Sequence, residues 1–124
     1  MVATVAGSGS FTSRGVHLQQ WTALTTGTVG NPMACPGLAD KTVYIGGTFS
    51  TGGTCSIYGS NDPVSTAPSS AAWAILTDPQ GNEITKTASG IETISENPMR
   101  IRPRVTSGDG STSINVRIVS NSQR

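Results

Sequence analysis

Charge is scarce in this sequence. Only 12% of its 124 residues are Asp, Glu, Lys or Arg, and the net charge is +1. No polyanion-binding footprint is visible, so nucleic acid is not an expected partner. Disorder is not expected either, because it combines low hydrophobicity with high net charge. No run approaches the roughly 20 apolar residues that cross a bilayer, so no membrane partner is expected. The opening stretch MVATVAGSGSFTSRG lacks a basic segment followed by a long apolar one. No secretory signal is read there, and the protein is expected to be made in a cytoplasm, unless it leaves within a larger assembly.

The residues of common chemistry are also few. One histidine, His17, rules out a His-rich metal site and has no nucleophile beside it in sequence. The two cysteines, Cys35 and Cys55, have no CxxC partner, which argues against zinc and dithiol redox chemistry. They are read as free, buried thiols, with a bridge closing about 20 residues as the alternative. The seven carboxylates could supply a glycosidase pair, but Asp62, Asp78 and Asp109 adjoin Gly, Asn or Pro and read as turn formers. Neither SGSGSF nor YIGGTFSTGG carries the GxxxxGK[ST] pattern of a phosphate loop. No catalytic, cofactor-binding or metal-binding residue is assigned.

What is abundant is Ser, Thr, 15 Gly and seven Pro, the composition of many short strands joined by turns. Residues 1–13 read as a flexible N-terminal arm, or else a frayed first strand, and 14–124 as one domain. In GVHLQQWTALT the apolar parity shifts across Gln19-Gln20, which predicts a bulge or break there. KTVYIGGTF places Val43 and Ile45 on one face and Tyr44 on the other, and GTCSIYG places Cys55 with Ile57. STGG joins these two as a hairpin turn. AWAIL puts Trp73 and Ile75 on one side, expected to face the core or a subunit contact. TDPQGNEI is a hairpin corner with Pro79 and Gly81 in turn positions and Ile84 inward. GIETI is a strand or a single helical turn. In PMRIRPRV, Met99, Ile101, Pro103 and Val105 alternate with Arg100, Arg102 and Arg104. SINVRIVS sets Ile114, Val116 and Ile118 on one face. The expected fold is all-β: a jelly-roll-like β-sandwich of about eight short antiparallel strands.

The arginine run is the one ordered charged feature. Arginine clusters hold carboxylates or phosphates bidentately and are favoured at protein contacts. Without aromatic stacking partners, the run is weak support for nucleic acid.

Between Lys41 and Val119 the ordered blocks KTVYIGGTF, GSND, AWAILTDPQGNEI, GIETISENPMRIRPRV and GDGSTSINVRI resemble small virion proteins of tailed bacteriophages, the capsid decoration or cement proteins. The blocks span about two-thirds of the chain. The resemblance implies a jelly-roll-type sandwich, often trimeric, without enzymatic activity or cofactor. It also implies attachment to the outside of the capsid at junctions of the major capsid protein, so the expected location is the virion exterior. The capsid or subunit interface expected here comprises Val2, Thr4, Phe11, Arg14, Trp21, Arg100, Arg102 and Arg104. GSND followed by Trp also resembles discoidin-like carbohydrate-binding sandwiches, so a glycan-binding module on a tail or fibre is the alternative. The Ser/Pro-rich insert DPVSTAPSSAA is longer than a simple corner and reads as specific to this protein.

Overall fold

A computed structural model describes residues 4–11, 16–35 and 38–121. These form twelve strands and no helix: β1 Thr4–Val5, β2 Ser8–Phe11, β3 Val16–Leu24, β4 Val29–Gly30, β5 Met33–Ala34, β6 Ala39–Thr48, β7 Thr54–Ser60, β8 Ala74–Ile75, β9 Thr85–Lys86, β10 Gly90–Ile94, β11 Arg100–Ser107 and β12 Ser113–Asn121. The strands make two sheets, a β-sandwich. Sheet A runs β1-β4-β11-β7-β8, with β5 also on β11 and β9 also on β7. Sheet B runs β10-β6-β12-β3-β2. Pairing is antiparallel except between β1 and β4. The strand count exceeds the eight expected because five of the twelve strands have only two residues, too short to leave an alternation in the sequence.

The core between the sheets follows from period-two patterning. Ile57, Cys55, Ile101 and Val105 come from sheet A; Val43, Ile45, Ile114, Val116 and Ile118 come from sheet B. Trp21 and Leu24 of β3 complete it, both fully buried. Trp21 fits because Gly30 faces it: a Cβ there would lie 2.7 Å from the indole ring. The indole N–H donates to the Asn31 carbonyl at 3.0 Å, so this buried donor is satisfied.

β3 corrects one expectation. The parity shift at Gln19-Gln20 needs no bulge, since β3 pairs regularly with β12 from Val16 to Trp21. Val16 and Leu18 simply belong to the outer face of sheet B, and Trp21 to the inner one. The bulge comes later, where Trp21 and Leu24 oppose Val116 and Ile114; Ala23 takes φ 57° there, and its N–H donates to the Asn115 side chain.

Residues 4–11 also differ from the flexible arm expected for 1–13. β1 pairs in parallel with β4, and β2 pairs with β3. The same short stretch therefore edges both sheets. Its Gly, Ser and Thr residues have little to bury, and backbone hydrogen bonds hold it, as in Asn31 N–H to the Val5 carbonyl at 2.8 Å.

The corners follow the turn reading. Asp78 accepts from the N–H groups of Gln80 and Asn82 at 2.9 and 3.0 Å, and Gly81 takes φ 86°, a conformation that favours glycine. Asp109 accepts from Ser111 N–H at 2.9 Å and from Thr51 N–H at 3.3 Å, tying two turns together. These bonds hold its carboxyl below the usual carboxylate range, the Ser111 bond first among them.

Candidate functional site

β11 lies inside sheet A, between β4 and β7. Ile101, Pro103 and Val105 point into the core, so Arg100, Arg102 and Arg104 stand on the outer face. Their neighbours across β7 are Ser60, Tyr58 and Ser56. Cross-strand partners have Cβ atoms about 5 Å apart, so these side chains share one surface. The strand is rigidly held on both sides, which fixes where the guanidinium groups start.

The insert DPVSTAPSSAA supplies the rest. The Asp62 carboxylate accepts from Ala72 N–H at 2.6 Å and closes the loop at its base. Inside it, Thr66 N–H donates to the Pro63 carbonyl and Ser70 N–H to the Ala67 carbonyl. Trp73 N–H donates to the Pro68 carbonyl at 2.9 Å. Held in this way, the Trp73 ring lies over the arginines: Arg102 Cζ is 4.0 Å from its centroid and Arg100 Cζ 5.5 Å. Both are within the range of cation–π attraction.

Trp73 is therefore not a core residue, as the alternation of AWAIL suggested. It shares a face with Ile75 as expected, but Ile75 pairs with Tyr58, and Tyr58 faces outward. The strand that AWAIL joins decides which face is which, and no pattern within AWAIL shows that partner. The arginine run thus has the aromatic partner that the sequence did not reveal.

The electrostatics of this face are unbalanced. Arg100 is only 4% exposed, yet its Nε and Nη2 have no hydrogen-bond partner; nor do the Nε atoms of Arg102 and Arg104. Among the described residues the one ion pair is Lys86–Glu92, 3.0 Å, at a rim where β9 and β10 bring the sheets together. None of the three arginines meets a carboxylate there. The Arg102 guanidinium is pushed below its usual range, by burial first and then by the positive charges of Arg104 and Arg100.

Beside the Arg100 end of the row, a cleft of about 510 Å³ is lined by Ser60, Asn61, Asp62, Ala72, Glu96 and Asn97, among others. Its carboxylates are engaged. Glu96 accepts from the Thr77 N–H at 2.9 Å and from the Thr77 hydroxyl. Burial pushes the Glu96 carboxyl up, but the Thr77 bonds and the Lys41 charge outweigh it and hold it below the usual range. Lys41, fully buried, donates to Asn97 Oδ1 and to the Leu38 carbonyl under the cleft floor. Among the described residues, no group of three His, Cys, Asp or Glu could hold a metal ion. Cys35 and Cys55 are free and buried. Burial pushes their thiols up to about 11 and about 12, so both are protonated at neutral pH.

The residues expected at an interface fare unequally. Arg100, Arg102 and Arg104 are brought together on one face. Thr4 is exposed, opposite Val29 at the edge of sheet A. Trp21 is fully buried between the sheets and cannot meet a partner, a correction whose cause is the Gly30 vacancy that admits its ring. Val2 and Arg14 lie outside the described residues, and of Phe11 only the backbone, paired with His17, is described. Tyr58 belongs with the arginines and was missed; Trp73, expected at the core or a subunit contact, stands with them on the outer face. No protein-family model matches the chain, and no curated protein matches it either.

Proposed function

We propose that this protein is a non-catalytic structural component of a tailed-phage virion, attached to the outside of the capsid where major capsid subunits meet. The attachment surface in this reading is the outer face of sheet A. The observation that carries it is the row of three guanidinium groups on a central strand, two of them (Arg100 and Arg102) under the Trp73 ring and none with a carboxylate partner. Such a row is costly in isolation and becomes favourable once a complementary surface supplies its hydrogen bonds. The row also falls within one of the blocks that resemble decoration proteins, and the jelly-roll winding and trimeric state belong to the same reading. Binding only to assembled capsomers would stabilise the head by mass action, and three linked copies would raise avidity.

Co-sedimentation with undecorated heads tests this, with the solution mass measured alongside. Saturable co-pelleting by a trimer is the expected outcome; a folded protein that stays in the supernatant overturns it. A second reading, a glycan-binding module, is favoured by the cleft, whose lining mixes Asn61, Asp62, Glu96 and Asn97 with Ala72 and Ala74, the neighbours of Trp73. A glycan array separates the two.

A further inference from the structure

The geometry points to the chemistry of the partner: an acidic, extended protein segment with carboxylates at alternate positions, received along the row of Arg100, Arg102 and Arg104 beside Trp73. This inference rests on reading the outer face of sheet A as an attachment surface.

Arg100, with its partnerless Nε and Nη2, sits in a nearly closed site at one end of the row. A guanidinium withdrawn from water without an anion is strongly unfavourable, so the surface is complementary to negative charge. The ring of Trp73 covers part of the cation faces but uses none of the N–H groups. The buried Nε atoms of the row are closed to a partner, so a carboxylate would meet the Nη groups of Arg102 and Arg104, the forked end of the planar guanidinium that pairs with carboxylates.

Spacing selects an extended chain. Alternate residues of a strand repeat at about 6.6–6.8 Å, and an extended partner segment has the same repeat. A Glu-x-Glu-x-Glu or Asp-x-Asp-x-Asp segment laid along β11 would set carboxylates against the half-buried guanidinium groups of Arg102 and Arg104, with Arg100 adding its charge from below the surface. The hydroxyl-bearing residues opposite the row, Ser56, Tyr58 and Ser60, add donors along its side.

A nucleic-acid backbone fits less well. Three cations are too few for the phosphate contacts of such interfaces, and the chain as a whole carries only +1. At the Arg100 end the row runs into the cleft lined by Asp62 and Glu96, whose negative charge repels a continuing phosphate track.

The test uses an alternating Glu–Thr heptapeptide, its Gln–Thr counterpart and an oligothymidine of similar length as probes, titrated into the full-length protein by amide and indole N–H NMR. The Glu peptide should bind, shift the Trp73 indole and the amides around Arg100–Arg104, and weaken as salt rises. The Gln peptide should bind at least about tenfold more weakly. R102Q should cost about tenfold and R102K nearly as much, because lysine keeps the charge but lacks the fork. R104Q gives a second variant should R102Q fail to fold. Equal binding of Glu and Gln peptides, or preferred binding of oligothymidine, overturns the inference. If the peptide fails while wild-type heads still capture the protein through Arg102, the carboxylate chemistry falls and the attachment reading stands. If the peptide binds as described and heads do not, the inference stands and the virion reading falls.

Discussion

The two outer faces of the sandwich obey the same alternation and are built of different matter. On sheet A the outward positions of the central strands are Arg100, Arg102, Arg104, Tyr58, Ser56 and Ser60, joined by Trp73. On sheet B, cross-strand rows run Ile91–Tyr44–Arg117–Gln20 and Thr93–Thr42–Val119–Leu18. Within these two rows the one charged residue is Arg117, whose Cζ lies 5.8 Å from the Tyr44 ring centroid. Ile91 and Val119 are 68% and 41% exposed there. A neutral Thr-rich sheet face with scattered apolar residues is an ordinary solvated surface. A half-buried guanidinium row is not, because folding alone leaves its hydrogen bonds unmade. In the proposed reading, the difference separates a face that solvent completes from one that a partner would complete.

The largest expected effect is a reference for both faces. Trp21→Ala removes the indole wedged between the sheets and should destabilise the protein by about 3–5 kcal/mol in urea unfolding. Trp73→Ala should cost much less, about 1–2 kcal/mol, the scale of its cation–π contacts and one hydrogen bond. Equal losses would mean that Trp73 is a core residue after all. Arg100→Met sharpens the contrast further: it should raise the stability of the isolated protein by about 1–3 kcal/mol while weakening capture by heads. A destabilised Arg100→Met protein would show that the monomer already satisfies this guanidinium.

A pH series probes the core that the faces share. Below pH 9 both cysteines are protonated whether the chain is folded or not, so their burial contributes fully. Between pH 9 and about 11–12 the unfolded chain loses protons that the folded chain keeps, and stability should fall across that window. Urea midpoints at pH 8 and 10.5 measure it, and Cys55→Ala should flatten the decline. The smallest effects belong to sheet B. Ile91→Thr and Val119→Thr should shift unfolding by no more than about 0.5 kcal/mol and leave head capture unchanged. A loss of capture by either would make sheet B the attachment face.

Much of this was legible in the sequence. The inward set of β6, β11 and β12 could be read directly, since a period of two survives in strands of eight to ten residues. The corner at Asp78, Pro79 and Gly81 carried its own turn chemistry. Asp62 and Asp109 were legible as turn formers too, although the use of Asp62 to carry Trp73 over the arginines was not. Placing that ring depends on β7 pairing with β8, a contact between residues that no local pattern links. The pairing of residues 4–11 with both sheets was hidden for a different reason: backbone hydrogen bonds make it, and backbone groups leave no side-chain signature.

The stretch from Thr4 to Phe11 closes one margin of each sheet at once. A sheet margin without its last strand offers a row of free amides and carbonyls to any similar chain. Cutting this stretch away would strip β3 and β4 together and give the molecule two adhesive borders. Such a truncated protein would tend to stack into filaments, so lost capture by heads would report self-association as readily as a missing contact. A fusion placed ahead of Thr4 leaves the short strands β1 and β2 as the two borders.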